Sequence, residues 1–426
     1  MAHILIVAKG AYGDLFPIYS VALALQREGH KLTFATDMYN LAAATELGLN
    51  ATALDRHDSS LKRRYSRGPI DLIYSWATNG SRYYRAFRRD AIENEYRNLL
   101  PLARKADLII GNQQAYTAAI VREELDKPWV YCVASPIALL SSHGQPALFP
   151  GVQRLQALSM ESDMLQRFSI WMGRTLSRIL MYNFTQKRQR LGLSSKRHPA
   201  FEAMYSEQLN LLLASPTLFS PEQVWPDMTH IAGYTWFEAP FMNDAETTAK
   251  LRVFLEAGPR PVVFTLGGNR RINPGTYFHE SIEACRLLGL RCVIVASKRF
   301  HDTLPQNENV LPISYLPYST LFKHAAAVVH SGGIGTIGLA LRYAVPSLLV
   351  PFSLDQFDNV YRATRSGFAR SLPARKYRAK NVARALEDLL NDEELRKRLQ
   401  KNVPIVTTEN GTEMACDAIK KLLPGS

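Results

Sequence analysis

Three stretches of this 426-residue chain carry side chains whose types and spacing could do chemistry. The first is His330-Ser-Gly-Gly-Ile-Gly-Thr336, where a histidine closes an apolar run and glycines lead into a helical pattern. Glycines let backbone approach a ligand, and a helix start offers unpaired N–H groups and the positive end of a dipole. Ser331, Gly332, Gly333, Gly335 and Thr336 therefore read as a cradle for phosphate, with His330 as a further donor to a diphosphate. The chain lacks the Gly-Lys-Ser/Thr of a P-loop, which counts against an ATPase. The second stretch is Asp355-Gln356, just past an apolar run that ends at Pro351. A carboxylate beside an amide offers acceptors and a donor to vicinal hydroxyls such as those of a sugar. Asp355 could equally cap the helix that follows. The third is Gly10-Ala-Tyr-Gly-Asp14-Leu-Phe-Pro17. Asp14 could take a proton from a hydroxyl, provided that burial raises its ordinary pKa of about 4. The alternative is that it caps a helix starting at Pro17.

The elements that must hold these residues read as alternating strand and helix. Short apolar runs at 4–8, 31–36, 107–111 and 129–134 suit buried parallel strands, with helices at 17–28 and near 116–125. The pattern restarts with strands at 261–266, 291–296, 326–330 and 347–351, helices at 277–288 and 336–343, and another helix after Asp355. Two runs of β-α-β units predict two doubly wound α/β domains. We place the first at 1–214, a Pro-rich linker at 215–243, the second at 244–405, and a C-terminal helix in 406–426 that can pack back on the first domain.

Net charge is +13, with nine basic and two acidic residues in 151–200 alone. Nucleic acid, an anionic small molecule and a membrane surface all fit such an excess. Within this basic stretch Leu165, Phe168, Met172, Leu176, Ile179, Leu180 and Phe184 recur at three or four residues, with Arg167, Arg174 and Arg178 on another face. The simpler reading is a helix packing its apolar stripe on the core; the other is a helix facing an acceptor or a membrane surface. Tyr83, Tyr84 and Phe87, interleaved with Arg82, Arg85, Arg88 and Arg89, read as an amphipathic helix rather than an RNA platform. His57 and His143 read as structural or solvated. Four scattered cysteines without a CxxC pair predict neither a zinc site nor a disulfide framework. No apolar run reaches the roughly 18 residues of a membrane helix, so we expect a cytoplasmic protein, with contact at a membrane surface left open.

Taken together, the histidine–glycine loop, Val345-Pro346, Pro351 and Asp355-Gln356 resemble the donor-sugar signature of family 1 glycosyltransferases. The Gly10–Pro17 loop is similar to the acceptor-side loop of that family. Within the family, Gly-Gly-Ile-Gly and Asp-Gln-Phe-Asp-Asn359 look like the wording of bacterial rhamnosyltransferases that build rhamnolipids. The resemblance implies the GT-B fold, two Rossmann-like domains facing a cleft. It also implies an inverting, metal-independent enzyme with no cofactor, using a UDP- or TDP-linked sugar as co-substrate. His330 and Ser331–Thr336 would then hold the pyrophosphate, and Gly267 and Gly268 would face the same phosphates, Gly268 standing where the family has a serine. Tyr315 and Leu316 would meet the base, Asp355 and Gln356 the sugar hydroxyls, and Asp14 would act as general base. The acceptor would be hydrophobic, a lipid or secondary metabolite, with anionic character suggested by the basic stretch; no nucleic acid is expected. The competing reading is a non-catalytic protein that binds a sugar nucleotide or activates another glycosyltransferase.

Overall fold

In the computed structural model the chain is described over residues 1–55, 87–139, 162–219, 225–240, 244–266, 274–305, 307–352 and 355–423. Runs rich in Val, Ile and Leu, too short for helices, form two sheets. The first comprises β1 (His3–Val7), β2 (Lys31–Thr36), β3 (Ala51–Ala53), β4 (Leu108–Asn112), β5 (Trp129–Val133), β6 (Leu209–Leu212) and β7 (Thr229–Ile231), in the order β3-β2-β1-β4-β5-β6-β7. The second comprises β8 (Val262–Thr265), β9 (Cys292–Val295), β10 (Val310–Ile313), β11 (Ala327–His330), β12 (Ser347–Leu349) and β13 (Arg370–Ser371), in the order β10-β9-β8-β11-β12-β13. Every pairing in both sheets is parallel.

Parallel strands need crossovers, and helices supply them. In the first half these are α1 (Tyr12–Arg27), α2 (Met38–Glu46), α3 (Arg89–Lys105), α4 (Tyr116–Glu124), α5 (Asp163–Leu180) and α6 (Tyr182–Arg190). In the second half they are α7 (Ala245–Glu256), α8 (Tyr277–Leu288), α9 (Tyr318–Phe322), α10 (Ile334–Arg342), α11 (Asp355–Arg365), α12 (Ala379–Leu390), α13 (Glu393–Thr408) and α14 (Gly411–Lys420). Successive side chains of a strand point to opposite faces. Accordingly Ile4 and Ile6 enter one buried cluster while Leu5 and Val7 enter another. Both faces of each sheet are thus covered, as expected for two doubly wound domains. Cys132, Cys285, Cys292 and Cys416 are buried free thiols.

The stretch 215–243, expected as a linker, contributes β7 to the first sheet before the chain leaves that domain. The chain comes back through Glu409 and Asn410 into α14, which packs on α1. Thr412 Oγ1 and Ser20 Oγ both donate to Thr235 O, at 3.0 and 2.9 Å, and Gly411 N–H donates to Tyr234 O at 3.0 Å. Ala415, Cys416 and Ile419 of α14 join the apolar cluster of β1 and α1. The last helix therefore completes the first domain's core. Replacing Ile419, fully buried, by Ala should cost about 2–5 kcal/mol in urea unfolding. Val253→Ala, on an exposed face of α7, should change stability by less than about 0.5 kcal/mol.

Candidate active site

In an open α/β sheet the carboxyl ends of the strands flank a crevice where the strand order reverses. The reversals lie between β1 and β4 in the first sheet and between β8 and β11 in the second. Asp14 follows β1 and Gln113 and Gln114 follow β4, whereas His330 closes β11.

Asp14 is the third residue of α1, which begins at Tyr12 rather than at Pro17 as the sequence suggested. The reason is local. The carboxylate of Asp14 accepts the N–H of Ala11 at 3.0 Å and closes the first turn five residues early, with Pro17 carried inside the helix. Asp14 thus has a capping contact and still faces the cleft. Gln113 Nε2 donates to its Oδ1 at 2.7 Å and Gln114 Nε2 to its Oδ2 at 3.1 Å. Burial pushes its pKa up to about 6, outweighing these three hydrogen bonds, which favour the ionised form. Gly10 makes room for the arrangement. At φ of +120° a Cβ on it would sit 2.5 Å from both Asp14 Oδ2 and Gln114 Nε2. Asn112 ties the two strand ends, its Nδ2 donating to Lys9 O at 2.7 Å.

His330 is buried, and its Nδ1 accepts Gly332 N–H at 3.2 Å. The ring proton therefore resides on Nε2, which is buried without a partner among the described residues. Burial pushes the imidazole down to about pKa 3, so the ring stays neutral and serves as a hydrogen-bond donor rather than a cation. Gly332 has φ of +84°, and a Cβ there would meet Val360 Cγ2 at 2.4 Å. Gly333 is the N-cap of α10, so Gly335 and Thr336 lie in its first turn, where backbone N–H groups lack intrahelical acceptors. Ser331 is buried beside them. Among the described residues, this cradle for anions uses dipoles and neutral donors.

Asp355 is the first residue of α11, and its Oδ2 accepts Asn359 Nδ2 at 3.0 Å. Burial pushes its pKa up to about 7, and the negative charge of Asp14 pushes the same way. Two carboxylates from different domains therefore sense each other in one cleft: Asp14 ionises first, and Asp355 must ionise against that charge. Gln356 Oε1 is anchored by Phe352 N–H at 2.9 Å. Leu316 is fully buried in the core of the second domain, so its backbone alone can meet a base. The Tyr315 ring lies 5.9 Å from that of Tyr318, whose hydroxyl is 2.7 Å from Thr265 Oγ1 at the end of β8. Gly267 and Gly268 lie outside the described residues, as do His57, His143 and the aromatic–arginine residues at 82–85. Phe87 packs against Tyr116 and Phe184 in the first domain.

Three residues of this site carried no role in the sequence reading. Gln113 and Gln114 could have been found as polar residues directly after a strand at the reversal point. Asn359 stands in the Asp355–Asn359 run itself. It is fully buried, accepts from Ser135 Oγ of the first domain at 2.9 Å, and donates to Gly332 O at 3.2 Å.

The basic stretch 151–200 also takes on a different meaning. Arg174 pairs with Glu202, Lys187 with Glu93 at 2.8 Å, Arg188 with Glu123 at 2.7 Å and Arg197 with Glu207 at 2.5 Å. Arg190 also lies 3.7 Å from Glu93, so five of the eight described basic residues of this stretch face a carboxylate of the same domain, which weakens the argument for an anionic acceptor.

Residues 292–414 match the family of C-terminal domains like that of erythromycin biosynthesis protein CIII. The chain is 22% identical over 432 residues to a sterol 3-beta-glucosyltransferase of Debaryomyces hansenii, covering 96% of this chain and 26% of that protein. The chain thus spans only about a quarter of the length of that curated relative. It is 24% identical to a zeaxanthin glucosyltransferase of Pseudescherichia vulneris, covering 100% of this chain and 99% of the relative. Among solved structures, the glycosyltransferase VinC in complex with dTDP superposes with a TM-score of 0.64 at 19% identity, covering 99% of each chain. The spinosyn rhamnosyltransferase SpnG gives 0.65 at 16%, covering 97% of this chain and 98% of that one. At these identities the structural likeness speaks for the fold, which is GT-B. The resemblance to family 1 glycosyltransferases drawn from the motifs is borne out.

For Asp355 the folded pKa lies above the unfolded value of about 4, so ionisation opposes folding. This penalty is complete above about pH 7 and is relieved as pH falls toward 4. Asp355→Asn should therefore melt at a higher temperature than the parent near pH 8, with the gap closing by pH 4. Thermal melts across that range check it.

Proposed function

We propose that this chain is an inverting glycosyltransferase that moves a sugar from a nucleotide diphosphate sugar to a hydroxyl of a hydrophobic acceptor, without a metal. The observation that carries the reading is the juxtaposition across one cleft. A carboxylate with raised pKa and two amide partners stands on one side, and a neutral histidine, a helix start and a second carboxylate stand on the other.

In this reading Asp14 removes the acceptor's hydroxyl proton as that oxygen attacks C1 of the sugar. The bond from C1 to the phosphate oxygen breaks, and its electron pair leaves with the diphosphate. His330 Nε2–H and the first-turn N–H groups of α10 meet the developing charge. One displacement from the opposite face inverts C1. Asp355, held by Asn359, and Gln356, held by Phe352 N–H, orient the sugar hydroxyls. Tyr315 and the backbone of Leu316 flank the base. Gln113 and Gln114 keep both oxygens of Asp14 in place so that the carboxylate does not rotate away from the incoming hydroxyl.

The names of similar proteins support the chemical class of both substrates. One neighbour binds dTDP and another is a rhamnosyltransferase, which favours a TDP-linked sugar such as TDP-rhamnose over a UDP-linked one. Relatives named for sterol and zeaxanthin favour an apolar acceptor bearing a hydroxyl, a lipid or secondary metabolite.

A thermal-shift panel of UDP, TDP and GDP sugars should show stabilisation by one nucleotide class through binding linkage. Asp14→Asn should keep that shift and lose about 10²–10⁴-fold in turnover. Near-parental turnover would remove Asp14 as the base, and a donor shift without any turnover by the parent would make the chain a sugar-nucleotide-binding partner instead. The base must be ionised, so kcat/KM should fall as pH drops through about 6. Gln113→Leu removes a donor that favours the ionised carboxylate, so that acid limb should move to higher pH in the variant's pH–rate profile.

A further inference from the structure

The helix α5 is turned the opposite way from the simpler expectation. Its packed side is small and polar. Ser177 Oγ lies 3.3 Å from His198 Nε2, which also approaches Arg174 O at 2.9 Å. Arg174 pairs with Glu202, which in turn accepts His198 N–H at 2.9 Å, and the guanidinium lies 5.7 Å above the Phe201 ring. These contacts fix the helix's rotation. The apolar stripe is left pointing outward: Met164 is 75% exposed, Phe168 53%, Trp171 61%, Ile179 56%, and Met172 and Leu176 are exposed as well. Their spacing of three, four and seven residues puts them on one face. The helix ends at Met181, and there the chain turns so that Met181 and Phe184 are buried against Ile92 and Ile120. The stripe read from the sequence is therefore two surfaces: Phe184 belongs to the core, and the α5 part does not.

We infer that this face of α5 docks on the surface of an anionic lipid bilayer. The charges beside the stripe select the occupant. Arg167 and Arg178 are exposed and form no ion pair among the described residues, and on a helical projection they fall along the edge next to Trp171. A helix with aromatic and aliphatic residues on one face and arginines at its border lies in the headgroup plane, with the apolar side about 5–10 Å deep and the cations at the lipid phosphates. Trp171 and Phe168, 5.8 Å apart, are the ring types favoured at that boundary. No described helix is long and apolar enough to cross a membrane, so the contact would be peripheral. Such docking would bring the acceptor-side domain to a surface where hydroxylated apolar molecules dissolve. The inference rests on α5 alone and does not depend on the reading of the cleft.

The test is sedimentation of the full chain with vesicles of phosphatidylcholine alone and of phosphatidylcholine mixed with phosphatidylglycerol. We expect binding to the mixed vesicles that falls with added salt. Phe168→Ser with Trp171→Ser should lower that binding at least about tenfold, and Arg167→Glu with Arg178→Glu should abolish the preference for the anionic lipid. Thermal unfolding midpoints equal to the parent's would show that the variants are folded. The inference is overturned if the parent stays in the supernatant with both vesicle types, or if the serine variant binds as the parent does. It is also overturned if the serine substitutions change only the chain's self-association in analytical ultracentrifugation, which would make the stripe an interface between copies.

Discussion

The site depends on one buried carboxamide. Asn359 receives Ser135 Oγ–H from the first domain on its oxygen and divides its two N–H donors between Gly332 O and the carboxylate of Asp355. Each partner is a separate requirement: the position of one domain on the other, the path of the phosphate-facing loop, and the orientation of a carboxylate. A buried amide satisfied on both ends is specific, because breaking any one contact leaves a desolvated group costing about 1–3 kcal/mol. The contact with Ser135 therefore ties the carboxylate of Asp355 and the phosphate-facing loop to the domain that carries Asp14.

Among the described residues, the anion cradle does not draw on the chain's positive charge. The cradle offers a neutral imidazole and backbone N–H groups, while the described lysines and arginines of the basic stretch are mostly matched to Glu93, Glu123, Glu202 and Glu207. Cations at the cleft would also lower the pKa of Asp14, whereas burial among amides raises it.

Much of the fold was legible because it rests on local signals. The apolar runs of β1, β2, β4, β5, β8, β9, β11 and β12 are contiguous in the sequence, as are the glycines after β1, β8 and β11. The histidine–glycine loop and Asp355-Gln356 were legible for the same reason. What was not legible depends on contacts between distant residues. Nothing near Pro17 says that Asp14 reaches back to Ala11 and starts α1 early. The glutamines after β4 look ordinary until β1 and β4 are seen as neighbours. The orientation of α5 was misjudged because periodicity reports that an apolar face exists and says nothing of which side the domain holds. Polar anchors on Ser177, Arg174 and His198 decided it.

The polypeptide passes between the domains twice, outward through the segment around Tyr234 and back through Glu409 into α14. The two passages are laced together. Glu409 accepts Tyr234 N–H at 3.1 Å and also Ser215 Oγ–H, while Trp236 Nε1 donates to Glu409 O at 3.1 Å. A single tether would let the halves twist, slide or drift apart. Two tethers stitched side by side act as a door hinge with two pins, allowing the halves to swing while forbidding translation. Any swing about such a hinge would return Asp14 and Asp355 to the same mutual register.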